Sequence, residues 1–193
     1  MTDETPPTPS TIQPWPLEGD RELHPTRIFS LRERTARSPS DPALTGDFVY
    51  LDSPDWINVI AVTPGGELVF VEQFRHGTRE VTLEIPGGML DPGEDFATAG
   101  ARELLEETGY AGDPPTLIGV VTPNPAIQSN RCGTVLIENA RAVAEQTPDT
   151  HEELAVHLHH ERALGELVRS GRITHALVVA AFHHLHLWRH RGG

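Results

Sequence analysis

Glu103, Glu106 and Glu107 fall within five positions of the stretch RELLEETGY, residues 102–110. At about 100° per residue of an α-helix, the three carboxylates cover only about 100° of the circumference, while Leu104, Leu105, Ala97 and Ala101 point the other way. Exposed like-charge pairs cost only about 0.2–0.5 kcal/mol each, so a solvated helix face is the plain alternative. The neighbouring residues favour chemistry. A hard divalent cation such as Mg2+ takes oxygen ligands in octahedral geometry, usually one or two carboxylates with water and substrate phosphates. Glu103 and Glu107 stand one helical turn apart and can grip such an ion together. Gly87 and Gly88 let the preceding loop pass close to the helix, so that a backbone carbonyl can join them. Arg102 can hold one glutamate in place through a charge-assisted pair.

The elements that must position these residues follow from periodicity and punctuation. The helix runs from about Asp95 to Glu107, with Asp95 near its start and Gly109 ending it in a left-handed conformation. NVIAVTP (58–64) and ELVFVEQF (67–74) are strands separated by Gly65 and Gly66, the pattern of a hairpin. VTLEI (81–85) alternates apolar and polar until Pro86, Gly87 and Gly88 break it. Further strands are expected at 116–122, 133–139 and 152–160, and helices at 161–169 and 174–188 with Gly171 between them. Before them, the arginine-rich stretch 27–37 and FVYLD (48–52) are expected to form strands. Residues 1–20 hold five prolines and few aliphatic residues, the composition of a flexible tail. Strands with one inserted helix, then more strands and terminal helices, give an α+β class. The expected organisation is a tail, 1–20, and a single domain, 21–193.

Composition narrows the function. The 193-residue chain carries 15 basic and 28 acidic residues, a formal net charge of −13, which opposes nonspecific binding to nucleic acid or an anionic membrane. All the basic residues are arginine, so there is no lysine for a Schiff base or a Walker-type phosphate loop. Cys132 is alone, which rules out an internal disulfide and a CxxC zinc site and fits a reducing cytoplasm. The acidic, proline-rich start lacks the charge and apolar run of a signal peptide, and no stretch approaches the roughly 18 apolar residues of a membrane span. A cytoplasmic location is expected.

Gly88, then Glu94 after five residues, then Arg102-Glu103-Leu104 after seven, followed by Glu106, Glu107, Gly109 and Tyr110, spell G-x5-E-x7-R-E-U-x-E-E-x-G-U, where U is bulky and apolar or aromatic. This is the complete Nudix box, and the chain resembles a Nudix hydrolase. The resemblance implies a Nudix fold, an α-β-α sandwich around a mixed sheet. It also implies Glu103 and Glu107 as principal metal ligands, Glu106 supporting them or sharing the metal, the carbonyl of Gly87 completing the site, and Glu94 in a structural role. The implied cofactor is Mg2+, two or more ions, with Mn2+ as a substitute.

Beyond the box, VEQFRHGTREVTLEIPGGMLDPGE is similar to the ADP-ribose pyrophosphatase-like branch, in which the arginine here numbered Arg75 faces the substrate. Pro125, fifteen residues after Tyr110 in TPNPAIQSNR, matches a proline that accompanies ADP-sugar preference in that branch, and Asn124 lies beside it. The loop at 147–156 is where the branch carries a further acid. Glu152 aligns as a metal-associated carboxylate, but the position two before it, where some members carry the general base, holds Thr150. Glu106, Glu152 and Glu153 are therefore the candidate catalytic carboxylates, with Asp149 or the metals alone as alternatives. The implied activity is cleavage of ADP-ribose or a related nucleoside diphosphate sugar to AMP and a sugar phosphate, by a homodimer whose strands within 27–52 contribute to the interface. Hydrolysis of nucleoside triphosphates or dinucleoside polyphosphates, and non-catalytic sensing of ADP-ribose, are the alternatives. The histidines of HLHH (157–160) and HHLHLWRH (183–190) are expected on polar faces, and Trp15, Trp56 and Trp188 in packing.

Overall fold

The computed structural model describes residues 10–148 and 153–191. Where one domain is expected from residue 21, the chain folds as two compact units, one running to Ser53 and including Ala126–Ser129, the other formed by Pro54–Pro125 and the chain from Asn130. The first is an antiparallel meander of β1 (Leu17–Pro25), β2 (Ser30–Arg37) and β3 (Thr45–Asp52). The segment expected as tail thus contributes the start of a strand. Its cohesion is polar: the Asp20 carboxylate accepts from Arg32 Nε, Arg34 Nε and the Tyr50 hydroxyl, each at 2.9 Å, and Arg34 lies 3.9 Å over the Tyr50 ring. The arginines of β2 are cross-strand partners.

The second unit contains a mixed sheet in the order β7 (Gly87–Met89), β4 (Trp56–Ala61), β10 (Cys132–Ile137), β9 (Thr116–Val121), in which only β4 and β10 are parallel. A second, antiparallel sheet has the order β12 (Leu154–His160), β5 (Glu67–Arg75), β6 (Glu80–Glu84). A short pair joins β8 (Tyr110–Ala111) to β11 (Arg141–Ala142). Three helices complete the unit: α1 (Phe96–Thr108), α2 (Leu164–Arg169), entered through a 3-10 turn at Glu161–Ala163, and α3 (Ala176–Arg189).

Strand periodicity sorts the apolar residues into two cores. Ile57, Val59 and Ala61 of β4, with Val135 and Ile137 of β10, meet Ala99 and Leu104 of α1. Ile60 and Leu136, on the opposite faces of the same strands, join Leu68 and Phe70 of β5, Leu83 of β6 and Val178, Ala181 and Leu185 of α3. The central strands are covered on both faces, which is why they read as continuous apolar runs. This is the expected α+β sandwich with helices on either side.

The glycine turn after β4 departs from expectation. Thr63 N donates to Glu67 O at 2.8 Å and Val62 bridges Leu68, but beyond that bridge β4 and β5 part into different sheets. Each strand is buried on both sides and takes other partners, so the turn links two sheets and no hairpin ladder forms. His159 stands edge-on to Phe70, and burial lowers the pKa of His184, whose Nδ1 lies 3.0 Å from Thr134 Oγ1; neither histidine is merely a polar surface residue. Cys132 is buried, and desolvation followed by the charge of Asp55 pushes its thiol up to about 12. No helix among the described residues is long and apolar enough to cross a membrane.

α1 ends on Gly109 at φ 72°, whose amide donates to Leu105 O. A Cβ there would sit 2.2 Å from the carbonyl oxygen of Ala144. Gly109→Ala is expected to destabilise the protein by on the order of 2 kcal/mol, from the left-handed backbone and the overlap together. Urea unfolding checks this, and an unchanged midpoint would contradict the tight closure of the helix.

Candidate active site

α1 begins at a capped end, with Asp95 Oδ1 accepting from Thr98 N at 2.8 Å, so its register is fixed before the first glutamate of the cluster. Earlier in the chain, β7 lies along β4, pairing Ile57 with Gly88 and Asn58 with Gly87. Glu107 is buried at 3% exposure, and its Oε2 accepts the Gly87 amide at 3.0 Å. Glu103 lies so close to β7 that a Cβ on Gly88 would be 2.3 Å from its Oε1, and one on Gly87 would be 2.1 Å from Ile57 O. The two glycines are there because backbone and carboxylate share that space.

Arg102 gathers the rest. Its Nε and Nη2 donate to the two oxygens of Glu94 at 3.1 and 2.9 Å, its Nη1 to Glu103 at 2.9 Å and to Glu106 at 3.0 Å, and its Nη2 also to Met89 O at 3.1 Å. Glu94 is anchored from the loop side by the Asp91 amide at 3.0 Å. The hydrogen bonds from Arg102, ahead of the opposing effect of burial, hold the Glu94 carboxyl below its ordinary range. The Arg102 guanidinium moves the other way, chiefly through Glu94, and stays charged at any working pH. Glu94 thus anchors Arg102, and the guanidinium brings the carboxylates of Glu103 and Glu106 together.

Three carboxylates on one guanidinium, with that of Glu107 on the Gly87 amide, leave an excess of negative charge that a cation can relieve. Every donor offered is a hard oxygen, from the carboxylates of Glu103, Glu106 and Glu107 and from the peptide of Gly87 beside them, and this set suits an Mg2+-like ion. In the described geometry the oxygens face Arg102 and the Gly87 amide, and among the described residues no three His, Cys, Asp or Glu side chains converge on one ion position. The residues fit a divalent cation by the chemistry of their donors, with the carboxylates turned toward protein donors.

Arg75, expected to face the substrate, ends β5 in a bidentate pair with Glu84, Nε to Oε1 and Nη2 to Oε2, both at 2.8 Å. Thr82 donates its hydroxyl to Glu84 Oε1 at 2.7 Å, and His175 Nδ1 lies 3.7 Å from Oε2. Burial alone would push the Glu84 carboxyl up, but Arg75, Thr82 and His175 together outweigh it and the net direction is down. Glu84 and Thr82 were not among the expected site residues. Their places in the alternating EVTLE gave only a polar strand face, and the partner that marks them lies on another strand.

Asn124 and Pro125 are exposed in the loop after β9. Glu153 is exposed just before β12. Asp149, Thr150 and Glu152 lie outside the described residues.

A family model, the NUDIX domain, matches residues 54–182, two thirds of the chain, and begins where the second compact unit begins. The chain belongs to the Nudix family. Among curated Nudix relatives, it is 31% identical over 136 residues to the ADP-ribose pyrophosphatase of Bacillus subtilis, covering 69% of this chain and 73% of that protein. It is 36% identical over 88 residues to the ADP-ribose pyrophosphatase of Saccharomyces cerevisiae, covering 45% of this chain but only 38% of the yeast protein. A crystal structure described as an ADP compounds hydrolase superposes with a TM-score of 0.82 at 18% identity, covering 95% of this chain and 99% of that one, a likeness of fold. The Nudix α+β fold is the scaffold, the glutamate cluster on α1 lies within the matched residues, and members of the family generally use divalent metal ions.

The contact between Gly88 and Glu103 yields a direct expectation. Gly88→Ala should displace the Glu103 carboxylate and weaken Mn2+ binding, measured by calorimetry, by roughly 10- to 100-fold while leaving the far-UV circular dichroism unchanged. Undiminished Mn2+ affinity would remove Glu103 from the cation site.

Proposed function

We propose that this Nudix hydrolase cleaves the pyrophosphate of ADP-ribose or a related nucleoside diphosphate sugar, giving AMP and ribose 5-phosphate from ADP-ribose. The observation that carries the reading is the carboxylate cluster of α1, held by Arg102 against Gly87–Gly88, in a chain whose relatives include ADP-ribose pyrophosphatases.

Glu103, Glu106 and Glu107, with the Gly87 carbonyl and Glu152, would hold Mg2+, two or more ions, with Mn2+ able to replace it. When bound, such ions neutralise phosphate charge and acidify a water molecule. The chain's own groups do the remainder. Arg75 presents a planar fork that suits a phosphate. Asn124 and Pro125 shape the side of the site that chooses the nucleoside diphosphate sugar. Water adds to one phosphorus as the bridging P–O bond breaks, its electron pair leaving with the other phosphate. Glu153, just before β12, Glu106 on α1 and Glu152 are the carboxylates proposed to take the water's proton.

The active form is proposed to be a cytoplasmic homodimer in which the N-terminal strands contribute to the interface. Trp15, Leu17 and Phe48 line one exposed apolar depression of the N-terminal unit, with Trp15 edge-on to Phe48, a surface of the kind that partners cover. The charge of −13 speaks against nucleic acid or an anionic membrane as partner.

Phosphate-coupled turnover against ADP-ribose, other ADP- and GDP-sugars, dinucleotides and triphosphates tests the reading. Cleavage that favours ADP-ribose and stops on chelation of divalent ions is the expected result. A preference for triphosphates would overturn the assignment of Pro125, and binding of ADP-ribose without turnover would make the protein a sensor. On the preferred substrate, Glu107→Gln, nearly isosteric but uncharged, should reduce kcat at least about 100-fold with little change in unfolding midpoint. A rate near that of the wild type would dismiss Glu107 as a metal ligand.

A further inference from the structure

Glu84 is a buried carboxylate, 2% exposed, that the catalytic reading does not use. A buried ion pair is poor evidence for stability, because desolvating both charges offsets most of their attraction, and an apolar pair of similar size often serves the fold as well or better. The carboxylate is instead well placed to impose geometry. Its two oxygens receive Arg75 Nε and Nη2 in parallel at 2.8 Å, which fixes the plane of the guanidinium as well as its position. Thr82 Oγ1, on the same face of β6, holds Oε1 at 2.7 Å and so prevents the carboxylate from turning away. His175, at the start of α3, closes the other side, with Nδ1 buried and 3.7 Å from Oε2. Arg75 itself is the last residue of β5, flanked by exposed Phe74 and His76, where a long side chain would otherwise sample many rotamers.

We infer that Glu84 is a positioning residue, which with Thr82 locks the Arg75 guanidinium in the orientation that receives a phosphate of the substrate. This rests on the reading of Arg75 as a substrate-binding residue. An arginine side chain carries much rotamer entropy, and freezing it before the substrate arrives removes that cost from binding. The consequence falls on substrate affinity more than on the chemical step, because the hydrogen bonds described for Glu84 run to Arg75 and Thr82. It also predicts that the two residues act as one unit, so that once Arg75 is gone Glu84 has nothing left to position.

The test is a double-mutant cycle on the best substrate of the panel, using the full-length protein. Glu84→Gln should raise KM by roughly 10-fold with kcat changed less than about 3-fold, and Thr82→Val should raise KM in the same direction by a smaller factor. Adding Glu84→Gln to Arg75→Ala should change kcat/KM by less than about 2-fold. A second readout does not need turnover: the Arg75 Nε–H resonance, assigned by its loss in Arg75→Lys, should be sharp in the wild type and broadened in Glu84→Gln. Factors that multiply in the double variant, a KM that stays put or falls in Glu84→Gln, or a resonance indifferent to that change would each overturn the proposal. Should Glu84→Gln unfold, the KM of Thr82→Val and the broadening of the Arg75 resonance in Thr82→Val decide alone. If the wild type hydrolyses nothing in the panel, the functional reading fails, and the resonance still reports whether Glu84 fixes Arg75.

Discussion

Repulsion among carboxylates on one helical face is the constraint around which the second unit is arranged. Glu103, Glu106 and Glu107 can be brought together only if something compensates them, and Arg102 and the Gly87 amide do so in the described structure. Each requirement then reaches outward. Arg102 has to be held, which Glu94 and Met89 O accomplish. The Gly87 amide has to face α1, which requires β7 to run antiparallel to β4 with no side chains on its two glycines. α1 has to lie flat on the sheet, and Leu104 and Ala99 hold it there against β4 and β10.

Two arginines therefore play related parts in different ways. Arg102 spreads its donors over several acids and keeps them close, while Arg75 commits two donors to a single buried acid and gains a fixed plane. The first arrangement can yield, because a cation that takes over the carboxylates replaces one positive partner by another. The second resists exchange, because Glu84 is enclosed by β5, β6 and the start of α3. An adaptable cluster and a rigid anchor would suit the proposed site, with metal ions taken from solution and a substrate of defined shape.

The local parts of this arrangement were legible in the sequence. Asp95 and Gly109 mark both ends of α1 because capping chemistry is confined to a few neighbouring residues, and the structure uses both. Spacing also disclosed the acidic face and the need for glycines before it. What stayed hidden was choice of partner. β4 and β5 read as a hairpin because the turn between them is local, whereas their assignment to different sheets depends on β10, β12 and β6, distant in sequence. β1 was missed because LEGDRELHP lacks an apolar pattern and is held instead by Asp20 between the arginines of β2. Glu84 looked like any outward polar residue of an alternating strand until Arg75 and His175 surrounded it.

The burial of Cys132 has a practical side. With Cys132 shielded and its thiol pushed up to about 12, and with no lysine among its 193 residues, the chain offers almost nothing to maleimides or to lysine-directed acylating agents. A cysteine introduced at an exposed position would be the one readily reactive thiol of the molecule. The protein is in that sense already prepared for single-site spectroscopic labelling, without the usual removal of native cysteines.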